Sequence, residues 1–313
     1  MFRTALITIA ASLLFTGAGQ AEVPRVATDI APVHGLVARV MMGVGTPDLV
    51  MQPGASPHGY SMRPSEAMAL SRSDFVIWMG EGLTPWLEGS VETLARDATV
   101  IELLDSDGIT VLPFREGARF ADHDSETEED GHDDHGHDDA HGHEGIDPHA
   151  WLAPENGKLW LELIAIELAQ FDPVNAETYR ANAAAGRAEI DQAVVTIDAA
   201  LAPLRNGGFV VFHDAFQYFE TSFELSALAA ISLGDASSPS PARIVEVRDT
   251  VAELGVSCVF SEPQFNPGLV AAVLDGTGAK TAVIDPMGTE IPLGPQFYPA
   301  LLLDLGQRMA GCP

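Results

Sequence analysis

Residues 174–204, VNAETYRANAAAGRAEIDQAVVTIDAALAPL, decide the fold of this chain. Alanine dominates the stretch, and Ile190, Val194, Ile197 and Leu201 recur three or four residues apart. That spacing places one apolar stripe along a helix. The only interior glycine is Gly186, and the next break comes at Pro203 and the Asn206-Gly207-Gly208 turn. The pattern predicts a single helix over 174–204, well beyond the ~10–14 residues of an average globular helix. A helix of that length connects bodies, so the segments on either side are read as separate lobes.

On the amino-terminal side, short apolar runs alternate with helical segments. Strands are expected at Arg25–Asp29, Asp48–Gln52, Asp74–Met79 and Thr99–Leu103, with helices at about 33–42, from Pro64, at 85–95 and at 154–170. On the carboxyl side, strands are expected at 208–212, 227–231, 257–260 and 281–284, with helices at about 241–253, 267–275 and 295–309. Strand–helix alternation of this kind builds mostly parallel sheets covered by helices on both faces. The expected fold is therefore α/β, with a lobe at 22–173, a linking helix at 174–204 and a second lobe at 205–313. No internal repeat is strong enough to use.

The start of the chain, MFRTALITIAASLLFTGAGQAEVP, reads differently. Arg3, a short apolar core from Ala5 to Phe15 and small residues before Ala21 form a secretory signal with a cut after Ala21. The apolar run falls short of the roughly 20 residues that span a bilayer, and no cysteine follows it for lipid attachment. A soluble, exported chain is expected. Its net charge of −29 argues against nucleic acid, whose phosphates require a basic surface, and favours attraction of cations. Much of that charge lies in an acidic segment at 121–145, which has too few apolar residues to bury a core and is read as a disordered insertion. The chain has two cysteines, Cys258 and Cys312. In an oxidising compartment a disulfide is expected; a thiolate metal pair is the competing reading, against which they stand far apart in sequence.

Of ten histidines, His123, His132, His135, His137, His141 and His143 belong to the insertion. Interleaved with carboxylates they form a weak, multi-site zinc collector, or else a merely solvated loop. His34 falls on the first helix and reads as a surface or packing residue. The remaining three, His58, His149 and His213, each follow a strand or open a loop, and Asp285 holds the same kind of place after the last strand. In open α/β sheets such positions face the crevice at the carboxyl ends of the strands. Three imidazoles and a carboxylate suit tetrahedral Zn²⁺, whereas Mn²⁺ prefers more oxygen donors. Trp78, Trp86, Trp151 and Phe216 are expected in the cleft walls or cores. Glu262 is either an acceptor near the site or a structural residue.

The stretches PGASPHGYSMRPS (53–65), DPHAWLAPEN (147–156), FVVFHDAFQYF (209–219), CVFSEPQF (258–265) and VIDPMGT (283–289) resemble, in order, the signatures of the cluster A-I metal-binding proteins of bacterial ABC importers. Within that family the chain is most similar to the zinc-uptake, ZnuA-type periplasmic proteins. The resemblance covers essentially the whole mature chain, insertion included. It implies two α/β lobes joined by a backbone helix, one metal in the cleft, and His58, His149, His213 and Asp285 as ligands, with water as an alternative to Asp285. Manganese-selective relatives usually carry Glu at the position of His213, which favours zinc. Gly59-Tyr60-Ser61 departs from the acidic or Thr-rich versions of its loop. The cysteine pair matches the disulfide of the ZnuA-type pattern. The implied partners are an inner-membrane permease with its ATPase subunit, and a periplasmic zinc chaperone. The implied function is a monomeric periplasmic zinc receptor rather than an enzyme. A manganese receptor of the same fold is the nearer rival. A zinc hydrolase is the more distant one, lacking any HExxH pairing.

Overall fold

A computed structural model describes residues 23–115, 120, 145–205, 207–232 and 240–312. The signal segment expected at 1–21 and nearly all of the insertion expected at 121–145 lie outside the described residues. The first sheet comprises β1 (Val26–Thr28), β2 (Asp48–Leu49), β3 (Phe75–Trp78) and β4 (Thr99–Glu102), with α1 (Ala31–Val40), α2 (Pro64–Leu70) and α3 (Pro85–Leu94) in the crossovers. Its order is β2-β1-β3-β4, with every pairing parallel. After α4 (Pro154–Phe171) and α5 (Ala176–Leu201) comes a second sheet: β5 (Phe209–His213), β6 (Ala227–Ser232), β7 (Cys258–Ser261) and β8 (Lys280–Val283). Its order, β6-β5-β7-β8, is again all parallel. Helices α6 (Gln217–Phe223), α7 (Pro241–Glu253), α8 (Pro267–Leu274) and α9 (Phe297–Ala310) complete the chain.

The two-lobed α/β architecture expected from sequence is present, and so is the long helix. α5 has 26 residues and passes into a 3-10 turn at Ala202–Leu204, where Pro203 stops it. It packs against α4, α9 and α1. Gly186 is needed there: a Cβ would stand 2.9 Å from Arg39 Cγ and 3.0 Å from Leu161 Cδ1. α9 crosses α5 as closely, since a Cβ on Gly306 would approach Ile197 Cγ2 to 2.8 Å. One apolar core runs from Val26 through α1, α4, α5 and α9 to Cys312, serving both lobes. Two smaller clusters lie apart from it, one between β5, β6, β7, α7 and α8 and one around Trp78, Leu87 and Val91. Among the described residues no helix is long and apolar enough to cross a membrane.

Two local readings differ, and a third is narrowed. β2 has two residues instead of five, although Val50 N–H and Met51 N–H still donate to Thr28 and Asp29 carbonyls. α6, seven residues within an aromatic run, is too short for periodicity to reveal. His34 is a packing residue: it is 4% exposed, with Nε2 3.2 Å from the Pro47 carbonyl.

Cys258 and Cys312 form a disulfide, so the thiolate-pair reading falls. The bond fastens the chain end beyond α9 to the start of β7, across a Cα–Cα distance of 6.1 Å.

Candidate metal centre

Each sheet changes direction at its middle: the chain runs outward from β1 to either side, and likewise from β5. The cleft lies at the carboxyl ends of these strands, where crossovers part and leave a crevice. His213 is the last residue of β5, and Glu262 follows the neighbouring strand β7. His213 Nδ1 stands 3.0 and 3.1 Å from the two Glu262 oxygens. Both residues are buried.

His149 precedes a 3-10 turn at Ala150–Leu152. Asp147 holds it twice: Oδ1 accepts from the His149 amide at 3.0 Å and lies 2.6 Å from Nδ1. Burial pushes the Asp147 carboxyl up to about 7, against the amide hydrogen bond from His149 and the electrostatic pull of His213, Arg115 and His58. His58 sits in the half-buried loop after β2. Trp86 Nε1 donates to the preceding carbonyl, Pro57 O, at 2.8 Å. Tyr60 donates from its hydroxyl to Glu66 at 3.0 Å, and Glu66 in turn accepts the Arg63 amide at the start of α2. The loop is thus tied at both sides of His58.

A carboxylate can only accept, so pairing Nδ1 with Glu262 or Asp147 places the ring hydrogen there and turns the Nε2 lone pair inward. The Nε2 atoms of His149 and His213 are 3.2 Å apart. Two lone pairs so close repel unless a cation or proton lies between them. Nitrogens bound at ~2.0–2.1 Å to one tetrahedral zinc stand about 3.3 Å apart. One donor atom from each of His58, His149 and His213 falls within 4.8 Å of the other two. Asp285 is outside this group: Oδ1 accepts from Gln264 Nε2 at 3.2 Å and Met287 N at 2.9 Å, and Oδ2 from Thr289 N at 2.6 Å.

Beside the imidazoles is a cavity of about 20 Å³, room for one water-sized occupant. Trp151, Phe265 and Met287 form much of its apolar wall, and Trp151 Nε1 donates to Pro286 O at 2.9 Å, joining the lobes. Trp78 and Phe216 lie in cores instead. The histidines at 123, 132, 135, 137, 141 and 143 lie outside the described residues. Sequence reading passed over Asp147; the signal was a carboxylate two residues before a histidine in Asp-Pro-His. It also left Glu262 undecided, because its partner is 49 residues away.

Comparison with known proteins gives the family of the chain. At 40% identity over 309 residues, covering 92% of this chain and 91% of the relative, the chain is similar to the high-affinity zinc uptake system protein ZnuA of Brucella abortus (strain 2308). The ZnuA of Paracoccus denitrificans (strain Pd 1222) is 41% identical over 322 residues, covering 100% of this chain and 99% of that one. Among solved structures, a crystal structure of ZnuA superposes with a TM-score of 0.74 at 23% identity, covering 93% of this chain and 99% of that one. The binding protein FpvC from Pseudomonas aeruginosa, in complex with Mn²⁺, gives 0.75 at 19% identity, covering 93% and 98%; these two show a shared fold. The family model described as zinc-uptake complex component A, periplasmic, matches residues 26–311, and the chain belongs to that family.

Proposed function

We propose that this protein is the periplasmic receptor of a zinc importer: it captures Zn²⁺ in the cleft and delivers it to an ABC-type permease driven by its ATPase subunit. It is a transport receptor and not an enzyme, as befits its family. The observation that carries the reading is the 3.2 Å approach of the His149 and His213 Nε2 atoms, with a donor atom of His58 in the same group. A donor set dominated by three imidazole nitrogens favours zinc over manganese. The zinc reading is therefore preferred to the manganese receptor, although a Mn²⁺-bound neighbour shares the fold.

His58, His149 and His213 are the proposed ligands, and a water or Asp285 takes the fourth place. The amides of Met287 and Thr289 already donate to the Asp285 carboxylate, which keeps further lone pairs for a metal. We assign the amino-terminal lobe to 22–173, the connecting segment to 174–204 and the carboxyl lobe to 205–313. The histidines of 121–145 serve as a loose collector that raises zinc concentration near the cleft, and this segment is where a zinc chaperone would dock. The receptor is taken to work as a monomer, with every proposed ligand in one chain. Replacing His58, His149 or His213 by Ala is the test, with zinc affinity read by chelator competition. Each is expected to lose more than the ~10–100-fold typical of an outer partner; wild-type affinity in all three would refute the assignment.

A further inference from the structure

The two segments that frame the insertion are fastened to the opposite lobe by contacts that metal ligation alone does not require. Residues 112–114 run antiparallel to 145–147: Pro113 bridges Ile146, Phe114 N donates to Gly145 O at 3.2 Å, and Asp147 N donates to Leu112 O at 2.8 Å. Tyr218, on α6 of the carboxyl lobe, reaches both segments with one hydroxyl. It accepts from Leu112 N at 2.9 Å and donates to Asp147 O at 2.7 Å. One step further out, Arg115 spreads its guanidinium over two buried carboxylates. Nε lies 3.0 Å from Asp214, Nη1 and Nη2 lie 2.8 and 2.9 Å from Glu220, and the plane covers Phe120 at 3.9 Å.

The endpoints of these contacts matter. Asp147 is the residue whose carboxylate orients His149, and Asp214 follows His213 directly in the chain. A buried hydroxyl with both donor and acceptor used fixes its two partners to within a few tenths of an ångström. An arginine fork does likewise for paired carboxylates. We propose that Tyr218 and Arg115 form an inter-lobe latch that sets the separation of His149 and His213, acting as positioning residues for the metal centre without touching the metal. This rests on the imidazole reading of the cleft. Removing the latch leaves every ligand present but lets the His149 ring drift from its partner, so the geometry of the bound ion changes along with its affinity.

The full chain carrying Tyr218→Phe, which keeps the ring and removes only the hydroxyl, tests this. So does Arg115→Lys, which keeps the charge and removes the fork. Chelator competition gives the Zn²⁺ affinity, and Co²⁺ substituted at one equivalent gives the ligand-field absorption of the site. Each variant is expected to bind Zn²⁺ about 10-fold more weakly and to shift the Co²⁺ bands. Glu189→Gln, which breaks the distant Arg39–Glu189 pair, is expected to change neither. Weaker binding with unchanged Co²⁺ bands would show a merely structural contribution and overturn the proposal, as would wild-type values for both variants. If His149→Ala and His213→Ala also bind as wild type, the ligand reading itself fails and the latch with it. That outcome is distinguishable from failure of the latch alone, in which those two variants lose binding while Tyr218→Phe and Arg115→Lys do not.

Discussion

At the scale of single residues, this site depends on two carboxylates outside the proposed ligand set. Glu262 and Asp147 each hold an imidazole by Nδ1, which fixes ring orientation and raises the basicity of the opposite nitrogen. Replacing Glu262 by Gln leaves a neutral acceptor, and a zinc affinity lower by roughly 10–100-fold is expected from chelator competition. A second residue-scale effect concerns His34, which is outside the histidine group of the site. Burial holds it below the ordinary histidine value of 6.5, against the pull of the Pro47 carbonyl and Asp48. The unfolded chain therefore takes up a proton as pH falls below 6.5 while the folded chain resists it, so stability drops through that window. Urea unfolding of zinc-free protein at pH 7.5 and 5.5 should show a smaller acid loss for His34→Gln than for wild type. What the sequence revealed at this scale follows from chain locality. His58, His149 and His213 announce themselves through strand ends and turn residues beside them. Asp147 and Glu262 owe their roles to a third dimension, and only for Asp147 is the partner nearby in the chain.

Among the elements, α5 and α9 determine how the lobes are held. Their crossing is close because Gly306 leaves room for Ile197, and Gly306→Ala is expected to cost about 1–3 kcal/mol by overpacking, read from urea midpoints. The disulfide fastens α9 to the start of β7, while Glu262 lies past the other end of that strand. Converting Cys258 and Cys312 together to Ala should therefore lower stability by about 2–4 kcal/mol and leave zinc affinity near wild type. The long helix was legible from its period and its lack of breakers over many turns. α6 was not, because seven residues give a 3.6-residue period too little length to register. Yet α6 carries Tyr218 and Glu220, so the element least visible in the sequence supplies several of the hydrogen bonds between the lobes.

For the whole molecule, charge and topology act together. Two parallel sheets present the carboxyl ends of their strands to one cleft, which brings residues as distant as His58 and His213 within a few ångströms. The alternation of strands and helices made that architecture readable, whereas the distances inside the cleft depend on how the core common to both lobes packs. A net charge of −29 draws cations toward the surface, and this attraction is screened over about 8–10 Å at physiological salt. Zinc capture measured by stopped flow is expected to slow as ionic strength rises, with a smaller change in a chain lacking residues 122–144. The most direct test of the central claim is zinc K-edge absorption fine structure on the chain loaded with less than one equivalent of metal. The expected result is three imidazole nitrogens at about 2.0–2.1 Å with one further light ligand, lost in His149→Ala and His213→Ala. A shell of oxygen or sulfur donors, or an unchanged spectrum in those variants, would contradict it.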